Sequence, residues 1–414
     1  MSSPQSRKWY QGWSSLWLKE AGPASYFVPS IFATIFSPLF IGSEPVILNL
    51  LAMFAIICMY ASLALQSIRL QATEWQALVV DYCQHVTQQG KVFIAIINGF
   101  MLINAAIEQS IHLLSTIFVA NTLGLGLWLL CRVSSHLFTL GCYIIFTTGI
   151  ISCVLLEKTP VFLIPIAIVT YLVLLVFKDK FGQPYHFSSH AFANYRHGVQ
   201  SGWSPVPVGF LSSYSKYLNK QLFPLSYFVG PSLSQFAILL VGLSASAIII
   251  NFFYDISKHS MFSLTNVLLA LFTLCQWSRS QRTQSWELLY TLPIYNSTAQ
   301  AKSAFIQSAL KFTIYVGIFC FIVTLPLIGQ QQWQFVYATN FSLTACAAFL
   351  ASFIIGNIVK NTSIMGILLC FSYGGHMALS TYIIQSDNGF TDLVLISLYV
   401  CSLALLNRFS AKYL

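Results

Sequence analysis

Apolar segments long enough to cross a membrane recur along most of this chain, and they constrain its fold more than any other feature. A helix needs about 20 apolar residues to span the hydrocarbon core of a bilayer, and such segments follow one another from Tyr26 to Asn407. Only 7% of the residues are charged, against about 25% in soluble proteins. This number of charges is too small to cover the surface of a soluble fold of 414 residues. We therefore predict an all-α polytopic membrane protein.

The apolar segments predict about 12 membrane-spanning helices. In the first half of the chain these spans are 26–43, 46–66, 92–107, 112–131, 137–156 and 160–177. In the second half they are 232–253, 261–277, 304–328, 335–359, 363–384 and 393–407. The segment 92–107 is short for a span, so re-entrant or broken helices over 92–131 stay open as an alternative.

The distribution of basic residues predicts the orientation. An even number of spans places both termini on one side, and the positive-inside rule identifies that side. With the N-terminus in the cytoplasm, all basic residues except Lys158 and Lys258 fall in inner segments. We therefore expect both termini to be cytoplasmic. The net charge of +9 follows from this asymmetry, and basic residues dispersed over span ends give no surface for nucleic acid.

Two blocks of sequence occur in both halves without gaps. Trp9–Val28 aligns with Phe210–Val229 before the first span of each half. Trp75–Lys91 aligns with Trp286–Lys302 after the second span of each half. Because both blocks occupy equivalent points of the predicted topology, they indicate an internal repeat.

Each half begins with an aromatic and basic segment. In the first half Trp9, Trp13 and Trp17 recur at helical spacing, an arrangement typical of a helix that lies at the membrane surface. We therefore predict two pseudo-equivalent six-span halves, each with an N-terminal interfacial amphipathic helix. The predicted domains are a first half over 1–177, a cytoplasmic linker over 178–208 and a second half over 209–414.

The linker contains three histidines, His186, His190 and His197. They lack acidic or cysteine co-ligands beside them, and Pro184 disfavours the helix that would align them. We therefore expect no metal site and no bound cofactor.

The segment 278–302 between the second and third spans of the second half is the most informative part of the sequence. It combines basic residues with an apolar face and a proline that ends or kinks a helix. These residues are Arg282, Trp286, Leu288, Leu289, Leu292 and Pro293. The pattern predicts an amphipathic helix at the inner surface that can dock on a partner.

This segment resembles the ABC type-2 exporter permeases through Glu287, Leu288, Leu289, Thr291, Leu292, Pro293 and the following Lys302. In that family the equivalent segment is a coupling helix that fits a cleft on a cytoplasmic ABC ATPase. The resemblance implies an ATPase subunit as partner, acting as a dimer, and a bacterial inner (plasma) membrane as location. It assigns the ATPase contact to Arg282, Trp286, Glu287, Leu288, Leu289, Leu292 and Pro293, and to Trp75, Gln76 and Leu78 in the first half.

The first half is similar to the haem exporter B permease of the cytochrome c maturation system. The similarity rests on Phe36, Pro38, Leu39, Ile41, Gly42, Glu44 and Pro45 and on the span end ASLALQSIRLQ. It implies haem or another amphipathic substrate and contact with haem-handling membrane proteins. Ser67 stands where that family has a glutamate, and Gln76–Tyr82 replaces its E-Q-L-M-L-L-P segment. The departures predict one strong and one degenerate ATPase contact.

The chain carries no recognisable chemistry of its own. A G-x-x-x-x-G-K-[ST] loop is absent from the sequence, so we expect a non-catalytic translocation subunit with ATP hydrolysis in a separate chain.

Polar residues inside the membrane are candidates for the substrate path. Glu108 and His112 would share one face if that stretch is helical, but hydration at the outer boundary explains them equally. His376 lies in mid-span and is either a substrate contact or a histidine bonded to a neighbouring helix. Asn98 and Asn104 predict interhelical hydrogen bonds.

Two other functions remain open at this point. A secondary transporter can also have two parallel six-span repeats, but it should carry paired intramembrane charges, which the second half lacks. A membrane scaffold without transport is favoured only by the degenerate first coupling segment.

Overall fold

The computed structural model describes residues 10–42, 45–73, 82–138, 141–142, 144–145, 163–180, 187–201, 212–229, 232–253, 257–280, 294–328, 334–385 and 389–410. Within these ranges every regular element is helical, which confirms an all-α fold. Clustering of the chain gives two compact units, Met1–Pro205 and Val206–Leu414. The predicted domain boundaries at 177 and 209 remain predictions.

The first unit is built around one buried helix. Its elements are a π-helical turn Ser15–Lys19, α1 Ala21–Phe36, a 3₁₀ helix Ser37–Phe40, α2 Pro45–Ala72, α3 Tyr82–Glu108, α4 Ile111–Val133, a 3₁₀ helix Ser135–Leu137, α5 Leu163–Lys180 and α6 Ser189–Ser201. Helix α2 is the central element, because α1, α3, α4 and α6 all pack on it. It contributes more buried apolar residues to the core of this unit than any other helix.

The second unit has a comparable centre. Its elements are α7 Ser212–Gln221, α8 Leu225–Val229, α9 Ser232–Phe253, α10 Ser257–Ser280, α11 Thr298–Ile328, α12 Gln334–Ile358, α13 Thr362–Gln385 and α14 Gly389–Ser410. Helix α12 packs on α10, α11, α13 and α14. Long apolar helices suit a bilayer because they satisfy every backbone hydrogen bond within one segment.

Among the described residues, eight helices are long and apolar enough to cross a membrane. They are Gly22–Phe40, Ile47–Ala72, Tyr82–Glu108, Ile111–Val133, Thr298–Ile328, Gln334–Ile358, Ile364–Ile383 and Gly389–Ser410. The predicted span 160–177 is helical from Leu163 and 232–253 is helical throughout, but their apolar stretches, Pro165–Val176 and Leu240–Ile249, are shorter than a span. Most of 137–156 lies outside the described residues. The structure therefore supports a polytopic membrane protein, and the number twelve stays a prediction.

The third span differs from its prediction. Helix α3 is continuous over 27 residues, whereas the apolar pattern predicted 92–107 and left broken helices open. The extension is polar, but it packs closely on α2: a Cβ added at Gly90 would lie 2.5 Å from Leu63 Cδ1. The chain then turns at Gln109, with φ of 52°, and Ser110 caps α4 by accepting from Leu113 N at 3.2 Å.

The entry segment of the first unit also differs. A helix presenting Trp13 and Trp17 on one membrane-facing side was expected, but Trp13 is 41% exposed and Trp17 is fully buried. Trp17 donates from Nε1 to Gln89 Oε1 at 2.9 Å and packs on Phe27 and Phe93. Trp13 also packs on Phe93, so both tryptophans face α3 of the same unit, and only the outer one, Trp13, stays exposed.

Candidate functional site

The predicted ATPase-coupling residues lie outside the described residues. These are Trp75, Gln76 and Leu78 in the first unit and Arg282, Trp286, Glu287, Leu288, Leu289, Leu292 and Pro293 in the second. The structure describes the helix ends on either side of them. In the first unit α2 ends at Ala72 and α3 begins at Tyr82; in the second, α10 ends at Ser280 and α11 begins at Thr298.

A charged cluster holds the C-terminal end of α2. Arg69 forms an ion pair with the Glu20 carboxylate, which belongs to the entry segment. Tyr195 of α6 donates from Oη to Glu20 Oε1 at 3.2 Å. Burial raises the pKa of the Glu20 carboxyl, although the neighbouring Arg69 acts to lower it. This cluster joins α2, the entry segment and α6.

Helix α6 belongs to the predicted linker, but it is docked on the first unit. Ser188 N donates to Gln71 O at 2.9 Å, and Gln71 Nε2 donates to Arg132 O at 3.1 Å. Ala191 is fully buried. The expectation that Pro184 and its neighbours disfavour a helix at the histidines is wrong for His190 and His197, because tertiary contacts stabilise α6 over Ser189–Ser201. His186 lies outside the described residues.

A different cluster holds the C-terminal end of α10. Arg279 donates from Nη2 to Gly356 O of α12 at 2.6 Å and from Nη1 to Gln276 Oε1 at 3.1 Å. Its guanidinium carbon lies 5.2 Å from the ring centroid of Phe305 in α11 and 5.1 Å from that of Phe353 in α12. Three helices therefore meet on one buried arginine, which is 8% exposed.

Close packing surrounds this arginine. A Cβ added at Gly356 would lie 2.7 Å from Gln276 Oε1, so glycine permits the approach of α12 to α10. The next residue, Asn357, donates from Nδ2 to Ser410 Oγ of α14 at 2.8 Å. The cluster at Arg279 is thus continuous through α12 with the end of α14.

The two arginines occupy equivalent places in the predicted repeat. Gln66, Arg69 and Gln71 have the same spacing as Gln276, Arg279 and Gln281, and both triplets end the second predicted span of their half. Sequence reasoning missed this correspondence because it treated the arginines only as orientation signals. The signal was available, since the triplets lie between the two aligned blocks.

Aromatic packing repeats in the same way. Phe27 meets Phe93 edge-on at 4.8 Å between ring centroids, and Phe228 meets Phe305 edge-on at 4.9 Å. Each pair connects the start of its unit to the helix that follows the coupling segment. Edge-to-face contact is a preferred geometry for aromatic rings.

The entry segments differ at one aligned position. Glu20 of the first unit corresponds to Gln221 of the second. Gln221 accepts from Lys311 Nζ at 3.0 Å through Oε1 and at 3.2 Å through its backbone oxygen. The arginine of the second unit therefore has no acidic partner at the place where Arg69 has Glu20.

The substrate-path candidates at the turn between α3 and α4 do not share a helical face. Glu108 ends α3 and His112 lies in the first turn of α4, on opposite sides of the turn at Gln109. The condition for a shared face, a helix that continues from Glu108 to His112, is not met, because the positive φ of Gln109 interrupts the helix. Glu108 Oε2 accepts from Gly42 N at 2.7 Å, so this carboxylate fixes a loop, while His112 is exposed.

His376 has hydrogen-bond partners at both ring nitrogens. Nδ1 lies 2.7 Å from Ser372 O, and Nε2 lies 3.4 Å from Tyr399 Oη of α14. The side chain is 5% exposed. These contacts match the expectation of a buried histidine bonded to a neighbouring helix, and they leave no open nitrogen for a substrate in this conformation.

The predicted interhelical role of the asparagines is confirmed. Asn98 and Asn121 exchange reciprocal amide hydrogen bonds of 3.1 and 2.6 Å between α3 and α4. Asn104 donates to Ser37 Oγ at 2.7 Å. Buried polar pairs of this kind connect helices where the surroundings offer no water.

In the described residues the arrangement provides contacts that link helix ends. No group of three or more histidine, cysteine or acidic side chains that could hold a metal ion occurs within the described ranges. Comparisons of the chain with protein-family models, characterised proteins and solved structures find no match.

Proposed function

We propose that the chain is the membrane permease subunit of an ATP-driven exporter of the ABC type-2 class. A separate cytoplasmic ATPase, acting as a dimer, drives outward movement of haem or another amphipathic substrate. The permease has twelve spans in two halves, lies in a bacterial inner membrane and has both termini in the cytoplasm. It contributes the pathway and no catalytic step.

One observation carries the proposal. The Glu287–Pro293 motif lies in the chain between α10 and α11, and the end of α10 packs on the beginning of α11. Arg279 precedes the segment, and its guanidinium packs on Phe305 of the helix that follows the segment. A partner that pushes on a segment with rigid flanks displaces the helices, whereas a partner that pushes on a loose loop only moves the loop. The flanks therefore suit a coupling element.

The first unit supports the expected asymmetry. The flanking arginine at its coupling segment, Arg69, is bonded to the entry segment through Glu20, and α6 covers the neighbouring end of α2. The first segment also lacks the glutamate and proline of the motif. We therefore assign the principal ATPase contact to the second segment.

The proposal is tested by purifying the tagged chain from its native membranes in detergent. We expect a stoichiometric ATPase with a phosphate-binding loop to co-purify, and the combined substitutions Glu287→Ala and Leu288→Ala to reduce its recovery about tenfold or more. At the aligned positions of the first half, Ala77 is already alanine, so Gln76→Ala is the matched control, and it should reduce recovery less. An absorption spectrum of the same sample shows a Soret band if haem is the substrate.

Recovery of the chain without any ATPase would contradict the proposal. Ion-driven substrate uptake or release in vesicles that contain only this chain would then indicate a secondary transporter of six plus six spans.

A further inference from the structure

The two equivalent arginines are held differently, and this difference assigns a role to one of them. We propose that Arg279 is a positioning residue that locks the C-terminal ends of α10 and α12 to the N-terminal part of α11, so that these helix ends move as one body. The inference rests on the proposed function, because the segment between α10 and α11 is the one assigned to the ATPase. It adds the route by which a displacement of that segment reaches α12 and α14.

The contacts of Arg279 reach every helix that the role requires. The guanidinium donates to Gly356 O of α12 and to Gln276 of its own helix. It also packs on the rings of Phe305 in α11 and Phe353 in α12, and both of these side chains are fully buried. The two rings are themselves 5.2 Å apart between centroids. A single side chain thus fixes the spacing of three helices.

Only arginine has the geometry for this arrangement. Its guanidinium is planar, presents several donors in fixed directions and stacks on aromatic rings. A lysine ammonium in the same place could approach one acceptor but could not stack on two rings and donate to two oxygens together. Arginine and lysine variants therefore separate a geometric role from a role of charge.

The burial of this charge favours a positioning role over simple stabilisation. No carboxylate contacts Arg279 within the described part of the chain. Burying a cation without an acidic partner costs free energy, and an apolar residue of similar volume often gives equal or greater stability. The hydrogen bonds and ring contacts of Arg279 offset part of this free-energy cost. The same contacts fix the relative positions of α10, α11 and α12.

Arg69 gives the internal contrast. Its ion pair with Glu20 connects α2 to the entry segment, and Tyr195 extends the connection to α6. Arg69 also forms a side-chain hydrogen bond with Tyr195, so its described partners are a carboxylate and a phenol, whereas Arg279 packs on two phenylalanine rings. We therefore expect loss of Arg69 to weaken the packing of the entry segment on α2, and loss of Arg279 to weaken the packing of α10 on α12. Each of these two sets of arginine contacts is called a joint below.

The first test measures backbone hydrogen exchange in the full-length protein in lipid nanodiscs. We compare wild type with Arg279→Gln, Arg279→Lys and Arg408→Gln, where Arg408 is an exposed arginine near the end of α14. Exchange at 353–358 should rise about tenfold in both Arg279 variants and stay unchanged in Arg408→Gln. Wild-type exchange in Arg279→Lys would show that charge suffices and would overturn the proposal.

Gly356→Ala provides a second variant if Arg279→Gln fails to fold. The added methyl group would displace Gln276 Oε1, which accepts from Arg279, without removing any charge. It should raise exchange at the same segment by a smaller factor. If hydrogen exchange in Gly356→Ala stays at the wild-type rate both at 353–358 and at the C-terminal end of α10, the assigned contact between Arg279, Gln276 and Gly356 is contradicted.

The second test separates positioning from stability. In vesicles containing the permease and its ATPase, Arg279→Lys should keep the ATPase bound and hydrolysing while substrate export per ATP falls about tenfold. Raised hydrogen exchange with an unchanged ratio of export to hydrolysis would reduce Arg279 to a structural residue and overturn the proposal. If wild type recruits no ATPase, the proposed function fails, while the hydrogen-exchange result still decides whether Arg279 locks the three helices.

Discussion

The C-terminal ends of α2 and α10 carry the same glutamine and arginine spacing but use it in different ways. Arg69 reaches back to the entry segment through an ion pair, whereas Arg279 reaches across to α11 and α12 through aromatic packing and a backbone hydrogen bond. The same residue spacing therefore occurs at two helix ends that are held by different contacts. Two helix ends with the same glutamine and arginine spacing can therefore be held to different neighbouring elements.

One of the exchanges between the aligned entry segments bears on this difference. Glu20 of the first entry segment corresponds to Gln221 of the second, which removes the acidic partner that an equivalent arginine would have. Gln221 accepts from Lys311 instead. The following variants break or sharpen the contrast between the two joints.

The largest effect is expected from Phe305→Ala. Phe305 is fully buried and contacts Phe228, Phe353 and the Arg279 guanidinium, so its loss leaves a cavity and removes one side of the arginine stack. We expect the free energy of unfolding to fall by about 3–5 kcal/mol. Phe93→Ala, at a half-buried position of the first unit, should cost about 1–2 kcal/mol. Unfolding in mixed micelles measures both, and equal losses would contradict the comparison.

The ion pair of the first unit should show energetic coupling. Glu20 and Arg69 have side-chain exposures of 14% and 18%, so solvent screens them only in part. A double-mutant cycle of Glu20→Gln and Arg69→Gln should give a coupling free energy of about 1–2 kcal/mol. The same cycle with Gln221→Ala and Arg279→Gln should give about zero. Coupling in the second cycle would show that both arginines serve their entry segments.

Polar contacts between helices should also differ between the units. Asn98 and Asn121 exchange two short hydrogen bonds, so Asn121→Ala should destabilise the first unit by about 1 kcal/mol. The contact between His376 and Tyr399 is long at 3.4 Å, so His376→Phe should cost about 0.5 kcal/mol or less. Substrate export should survive His376→Phe, and a loss of export with normal folding would return His376 to the substrate path.

The smallest expected effect is a pH dependence in the first unit. Burial raises the pKa of Glu20 above its ordinary value of 4.5, and Arg69 lowers it. An acid with a raised folded-state pKa contributes stability below its unfolded pKa and loses that contribution as pH rises through the folded value. Arg69→Gln removes the lowering influence, so the free energy of unfolding should fall more steeply as the pH rises above the ordinary glutamate pKa of 4.5 than in wild type. Arg279→Gln should leave this slope unchanged.

Much of the fold could be predicted because the apolar pattern is local. The predicted span 232–253 matches α9, Ser232–Phe253, and 335–359 differs from α12 by one residue at each end. The start of α3 was missed because its polar residues interrupt the apolar run. Packing of Gly90 on Leu63 supports a helix there, and such packing depends on α2, which the local pattern does not contain.

The candidate site shows where sequence reasoning stops. The motif Glu287–Pro293 is readable because its residues are consecutive. The joint at Arg279 is assembled from Gly356, Phe305 and Phe353, which are far apart in the chain and meet only after three helices have packed. Burial therefore distinguishes this arginine from the other basic residues whose burial the structure describes, and composition cannot reveal burial.

The most direct test of the central claim is site-specific photo-crosslinking in native membranes from the aligned positions Leu289 and Leu78. The account predicts that a probe at position 289 captures a cytoplasmic ATPase with a phosphate-binding loop and that a probe at position 78 captures it far less. Equal capture from both positions would contradict the asymmetry between the two halves. Capture of no ATPase from either position would contradict the permease assignment itself.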